Sequence, residues 1–187
     1  MLDSGKLENQ PPVSVKVERL DALKGADLID ICTATEDTIK EDALSFTIGL
    51  SRTHCPPRER LEAYWKGVVI VPERTLIVGR LDGAIASSIQ LVKPAPSNQT
   101  SMFCGSVDHH FVAPWARGHG LAKDLLQAAE NEARNIGLSV LRLSVRANLE
   151  NAVTIYENAG FKRWGELDKY EMVDGKMLAG YFYYKDL

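Results

Sequence analysis

Residues 112–126 read "VAPWARGHGLAKDLL", and the fold turns on how that stretch is read. An apolar strand arrives at Val112 and Pro114 interrupts it. Two glycines in three residues, Gly118 and Gly120, then precede an amphipathic helix. Glycine removes the Cβ and opens left-handed backbone angles. The start of a helix carries N–H groups without intrahelical partners and the positive end of the aligned peptide dipoles. Bare backbone at such a point lets a large anion reach those amides, so the stretch predicts a phosphate or pyrophosphate cradle. The competing reading is a loop that merely needs small residues.

Outward from this turn the pattern is regular. Ala122, Leu125, Leu126, Ala129, Ala133 and Ile136 recur at helical spacing, which predicts a helix over 118–136 with Gly137 as its stop. Residues 102–112 before it and "LSVLRLSV" (138–145) after it read as strands. Residues 149–159 read as a second helix ending at Gly160, followed by strand pieces "FKRWG" and "KYEMV" and a last strand "MLAGYFYYKDL". Toward the N-terminus, "VSVKVERL" (13–20) alternates as a half-buried strand, and residues 21–50 hold two helical stretches joined near "TATEDT", with Thr35 or Thr38 available to cap the second. "RERLEAYWKGV" is a short helix. "TLIVGRLDGAIASSIQLV" is a hairpin around Leu81-Asp82-Gly83. A strand–helix–strand unit inside mainly hairpin-connected strands predicts a mixed α/β sheet with helices on both faces.

The chain has 187 residues, 45% of them hydrophobic and 25% charged, which fits one globular domain over 13–187 behind a flexible leader at 1–12. A formal charge of −3 leaves no basic footprint for nucleic acid. No apolar run reaches membrane-spanning length, and "MLDSGKLENQPP" lacks the apolar core of a signal peptide. Three scattered cysteines point to reduced thiols and a cytoplasmic chain. His54-Cys55 and His109-His110 follow no known metal-ligand spacing, so no metal is expected.

Three kinds of phosphate site compete for the glycine turn. A P-loop needs G-x-x-x-x-G-K-[ST], which is absent. A dinucleotide loop needs G-x-G-x-x-G with an acid at the end of the next strand; here Lys123 takes the third glycine position and the next strand ends at Arg146. The third fits: Arg117-Gly118-His119-Gly120-Leu121-Ala122 matches R/Q-x-x-G-x-G/A, the lead-in is V-x-P-x-x-R, and "NAVTIYENAGF" (151–161) matches A-x-x-x-Y-x-x-x-G-F. With both motifs in order, the sequence resembles the GNAT superfamily of acyl-CoA-dependent N-acetyltransferases.

That resemblance implies a mixed, mostly antiparallel sheet of about six or seven strands, splayed in the middle. It implies acetyl-CoA as cosubstrate, with its pyrophosphate on the backbone of Arg117, Gly118, His119, Gly120, Leu121 and Ala122. The Val112 N–H would serve the thioester carbonyl, and Tyr156 would be the acid for the departing thiolate. Leu149 stands where the family often has Asn, so Asn148 and Asn151 are expected to supply its contacts. For the base, strand alternation places Ser106, Asp108, His110 and Val112 on one side and Val107, His109 and Phe111 on the other. Asp108 holds a position where the family often has an acid or histidine, although its reference pKa is low for a base; His110 has the better intrinsic value. The expected acceptor is a primary amine of a small molecule or peptide, received near residues 21–66 and the last hairpin. Phe46, His54, Tyr64, Trp65, Tyr181 and Phe182 lie in those regions. A homodimer would be in keeping with the fold. The rival reading is a non-catalytic acyl-CoA-binding module.

Overall fold

The computed structural model describes residues 13–42, 46, 48 and 55–187. The 1–12 leader and His54 lie outside them. Seven strands form a single sheet in the order β1-β2-β3-β4-β5-β7-β6: β1 (Val15–Leu20), β2 (Arg74–Leu81), β3 (Ala84–Val92), β4 (Cys104–Val112), β5 (Val140–Arg146), β6 (Lys162–Val173) and β7 (Lys176–Asp186). Only β4 and β5 run parallel, joined by the helical crossover α3 (Leu121–Asn135); every other neighbouring pair is antiparallel. The two strand pieces expected after Gly160 are one long strand, β6, whose register shifts between Arg163 and Gly165 and again between Leu167 and Glu171.

Helices α1 (Asp27–Glu41) and α2 (Arg58–Ile70) cover one face of the N-terminal half of the sheet, called the front. Their core joins Ile31, Leu61 and Trp65 to Leu76, Val78 and Phe111. Helix α3 and α4 (Glu150–Asn158) pack on the back, where Leu125, Leu126 and Ala129 meet Ile77, Ile89, Leu91, Val107, Leu141 and Tyr156. The expected break near "TATEDT" does not occur, and α1 runs straight through it. The threonines spend their hydroxyls inside the helix: Thr33, Thr35 and Thr38 donate to the carbonyls of Ile29, Ile31 and Ala34. A hydroxyl bonded four residues back caps nothing. The second stretch expected before residue 50 falls largely outside the described residues.

Two features of β4 shape the site. First, β4 and β5 pair only from Cys104–Ser106 against Val140–Arg142. Gly105 sits at the tight end, where a Cβ would lie 2.6 Å from Leu138 Cδ1 and 3.1 Å from the Val92 carbonyl. Beyond Ser106 the strands part, giving the splayed sheet. Second, β4 carries a bulge. Gln90 pairs with Asp108 but Ser88 pairs with Phe111, so the single residue Ile89 faces two, His109 and His110. His109 takes up the extra length at φ 49°, in the left-handed region.

The bulge overturns the simple alternation. Val107 lies in the back core, whereas Phe111, of the same parity, lies in the front core. Asp108 and His110 therefore do not share a side. Asp108 meets Arg74 of β2, and His110 meets Tyr156 of α4.

Candidate functional site

The glycine turn folds as its composition requires. Pro114–Ala116 makes one short 3-10 turn, and the chain then passes through Gly118 (φ 83°) and Gly120 (φ 80°) before α3 begins at Leu121. Gly120 is the residue before the helix, and no side chain caps that end. A Cβ at Gly118 would meet nothing within 4 Å, and one at Gly120 only Asp124 Oδ2 at 3.8 Å. Packing within the protein does not demand these glycines. The backbone angles do, and they leave the amides bare on the outside.

Those amides open on a cavity of about 810 Å³ in the cleft left by the parting of β4 and β5. His110, Val112, Arg117, Gly118, Gly120, Leu121, Ala122, Asn148, Asn151 and Tyr156 all line it. Segments some thirty residues apart in the chain, each carrying its own motif, thus border one cavity. Asp108 and His119 are not in that lining. His119 is exposed, with its Nδ1 3.3 Å from the Ala116 carbonyl.

Val112 presents its backbone to the cleft. Ala113 N–H bonds the Ala86 carbonyl across β3, and Val112 pairs with Ser87 in the same register. In an antiparallel ladder the residue next to a hydrogen-bonded pair points its N–H the other way. The Val112 N–H therefore faces the side where β5 has moved off. Arg117 is engaged elsewhere: its guanidinium bonds both oxygens of Glu41, at 3.0 and 2.6 Å, tying the turn to the end of α1.

Tyr156 reaches the cleft from α4 with its ring packed in the back core, edge-on to Phe161. Its hydroxyl is 3.1 Å from His110 Nδ1. Burial pushes the phenol well above its usual pKa and pushes the His110 imidazole down to about 4. Both groups are therefore neutral at pH 7. His110 is partly buried as a residue, yet its Nε2 is sealed from solvent with no hydrogen-bond partner among the described residues.

On the front of β4 a second polar group assembles that the sequence did not reveal. Arg74 Nη1 donates to Gln90 Oε1 at 2.6 Å and lies 3.6 Å from Asp108 Oδ2. Gln90 Nε2 donates to the Tyr64 hydroxyl at 2.9 Å, and the Tyr64 ring lies 5.6 Å from that of His109. Burial lowers the pKa of His109, opposed by the nearby Asp108 charge. Arg74 and Gln90 look like ordinary strand residues in the sequence; only the register of β2, β3 and β4 brings them together. Of the aromatic residues expected near an acceptor, Trp65 is fully buried and donates to Thr35 Oγ1, and Phe46 packs on Phe111. Tyr181 lies under the Arg163 guanidinium, and Phe182 contacts the rings of Trp164 and Tyr170.

Comparison with known proteins agrees with this architecture. A family model described as an acetyltransferase (GNAT) domain matches residues 58–173. An uncharacterized N-acetyltransferase from the hisH-hisA intergenic region of Azospirillum brasilense is 52% identical over 132 residues, covering 71% of this chain and 76% of that protein. Among solved structures, the ribosomal-protein-alanine N-acetyltransferase of Brucella melitensis superposes with a TM-score of 0.74 at 19% identity, over 92% of this chain and 99% of that one. The yncA protein of Salmonella typhimurium, solved with its cofactor acetyl-CoA, gives 0.71 at 14% identity, over 92% and 94%. The fold, the parted strands and the family match lead to one assignment: the chain belongs to the GNAT family of N-acetyltransferases.

Proposed function

We propose that this acetyltransferase moves an acetyl group from acetyl-CoA to a primary amine of a small molecule or peptide, by direct attack of the amine. The observation that carries the reading is convergence on one cleft: the bare start of α3, the Val112 N–H on the side away from β3 and Tyr156 all border it. Acetyl-CoA in a structural neighbour of the same fold supports the same donor here.

The residues divide the work as follows. Amides from Arg117 to Ala122 hold the pyrophosphate, with Asn148 and Asn151 beside the rest of the nucleotide. The Val112 N–H polarises the thioester carbonyl and holds the negative charge that grows on its oxygen. The amine nitrogen bonds the carbonyl carbon, the carbon–sulfur bond breaks, and the amine proton goes to Asp108, directly or through water. Asp108 suits that role by position, since its side chain is 39% exposed on the front of β4 and held beside Arg74. Tyr156 gives its phenolic proton to the leaving sulfur, and solvent restores both groups. A phenol whose pKa is raised by burial keeps its proton until charge develops on sulfur.

Thermal shift with CoA, ATP and NAD tests the site, because a ligand that binds only the folded state raises the melting temperature. CoA alone is expected to protect. Thiol release against an amine panel tests turnover, and protection without release from any amine would favour a non-catalytic acyl-CoA-binding module. Tyr156→Phe is expected to lower kcat far more than acetyl-CoA affinity; equal losses would make Tyr156 structural.

A further inference from the structure

Resting on the acid role of Tyr156, we infer that His110 is a positioning residue which aims the Tyr156 hydroxyl into the cleft, and that it is not the base for the amine. Three observations bear on this. The bulge puts His110 on the back of β4, with Tyr156, while Asp108 and the Arg74–Gln90–Tyr64 group lie on the front. His110 lines the cleft beside Tyr156, on the opposite side of β4 from those polar groups, so an amine received among them would meet Asp108 and not His110. Next, the Nδ1-to-hydroxyl distance of 3.1 Å spans β4 and α4, two elements with no other hydrogen bond described between them. The ring centroids are 5.7 Å apart at 51°, so the imidazole meets the phenol at its oxygen and does not stack on it. Last, the remaining ring nitrogen, Nε2, is shut off from solvent. A group that must collect a proton from substrate and return it to water needs an open nitrogen, whereas the His110 ring meets Tyr156 through Nδ1 and the Ala122 backbone.

A neutral imidazole can hold a phenol from either side of the hydrogen bond, as donor or as acceptor. What it supplies is direction. The Tyr156 ring is gripped by Phe161 and the back core, but its hydroxyl hydrogen would otherwise be free to rotate. One net hydrogen bond of this kind corresponds to roughly a three- to tenfold effect on turnover.

The test is a double-mutant cycle on the full chain, with acetyl-CoA as donor and the best amine from the panel. His110→Ala is expected to lower kcat about three- to tenfold while leaving the CoA-induced melting shift unchanged. His110→Asn, whose amide can sit near the Nδ1 position, is expected to restore most of the loss. In the Tyr156→Phe background, His110→Ala is expected to cost nothing further, because its partner is gone. Full additivity of the two losses, or loss of the acidic limb of the pH–rate profile in both His110 variants, would overturn the inference and return His110 to the role of base. A His110→Ala protein that melts early is still informative through the Asn variant. Failure of CoA to protect the wild-type protein would instead refute the proposed function, which keeps the two failures apart.

Discussion

Gly120→Asn separates the two reasons a glycine can be needed. At φ 80° any L-residue is strained, by about 1–2 kcal/mol in general, and asparagine tolerates the region better than most. The Cβ it adds meets only Asp124 Oδ2, at 3.8 Å. The stability cost should thus be roughly 1 kcal/mol, or about 2–4 °C in Tm for a chain of this size. On the proposed cradle binding should suffer far more, because the new side chain would stand where the pyrophosphate approaches. Losing one charge-assisted hydrogen bond of about 1.5–3 kcal/mol weakens affinity roughly ten- to hundredfold.

The assay is thermal shift at a CoA concentration of about 100 times the wild-type Kd. There the wild type gains about 2.7 kcal/mol, or roughly 5–11 °C. A variant weakened a hundredfold gains only about 0.4 kcal/mol, or roughly 1 °C. Gly83→Asn is the control. Gly83 also has positive φ (89°) and open space around it, but it sits in the β2–β3 turn. It should lose similar stability and keep the full shift. A folded Gly120→Asn protein that is protected as strongly as wild type would refute the cradle.

Other perturbations have equally definite outcomes. Asp108→Asn should cut kcat for amine transfer by about 10²-fold or more with the CoA melting shift intact; unchanged turnover would remove Asp108 from the mechanism. Leu125→Ala, at a fully buried position of the back core, should cost about 2–5 kcal/mol in a denaturant melt without altering the ligand specificity of the remaining folded protein. The His110 imidazole, held near 4 when folded and near 6.5 when unfolded, takes up its proton in the unfolded chain first. Stability should therefore fall as pH drops from about 6.5 toward 4. His110→Asn should lose less over that window, measured by denaturant midpoints at each pH.

Most of the fold was legible because its elements are strongly patterned. The α3 repeat, the Asp82-Gly83 turn and the paired motifs at 112–122 and 151–161 each depend on local spacing, which a sequence displays directly. What escaped depends on register. The bulge at His109–His110 is a difference of one residue between two strands, and nothing in "VDHHFV" records the length of its partner. That single residue separated Asp108 from His110, two candidates that alternation had placed together. The run through "TATEDT" escaped for another reason: threonine hydroxyls can end a helix or bond within it, and contacts such as Trp65 to Thr35 decide which. Arg74, Gln90 and Tyr64 were invisible as a group because three elements must first align.

The bulge also shows why the reaction would be organised around β4. A regular strand sends alternate side chains to opposite faces, so two neighbours can serve different chambers but residues two apart cannot. Adding one residue breaks that parity: Asp108 is left on the front and His110 on the back, with the strand itself as the partition. Past the bulge, Val112 keeps its pairing with β3 and so still directs its N–H into the gap that opens where β5 departs. On the proposed mechanism, proton removal on one face, charge stabilisation at the edge and the contact that aims Tyr156 on the other face would then be set within a few residues of one strand. Closing the bulge by deleting His109 would force one of those three groups out of place. The left-handed angle at His109 is therefore best understood as local strain retained for the geometry it imposes.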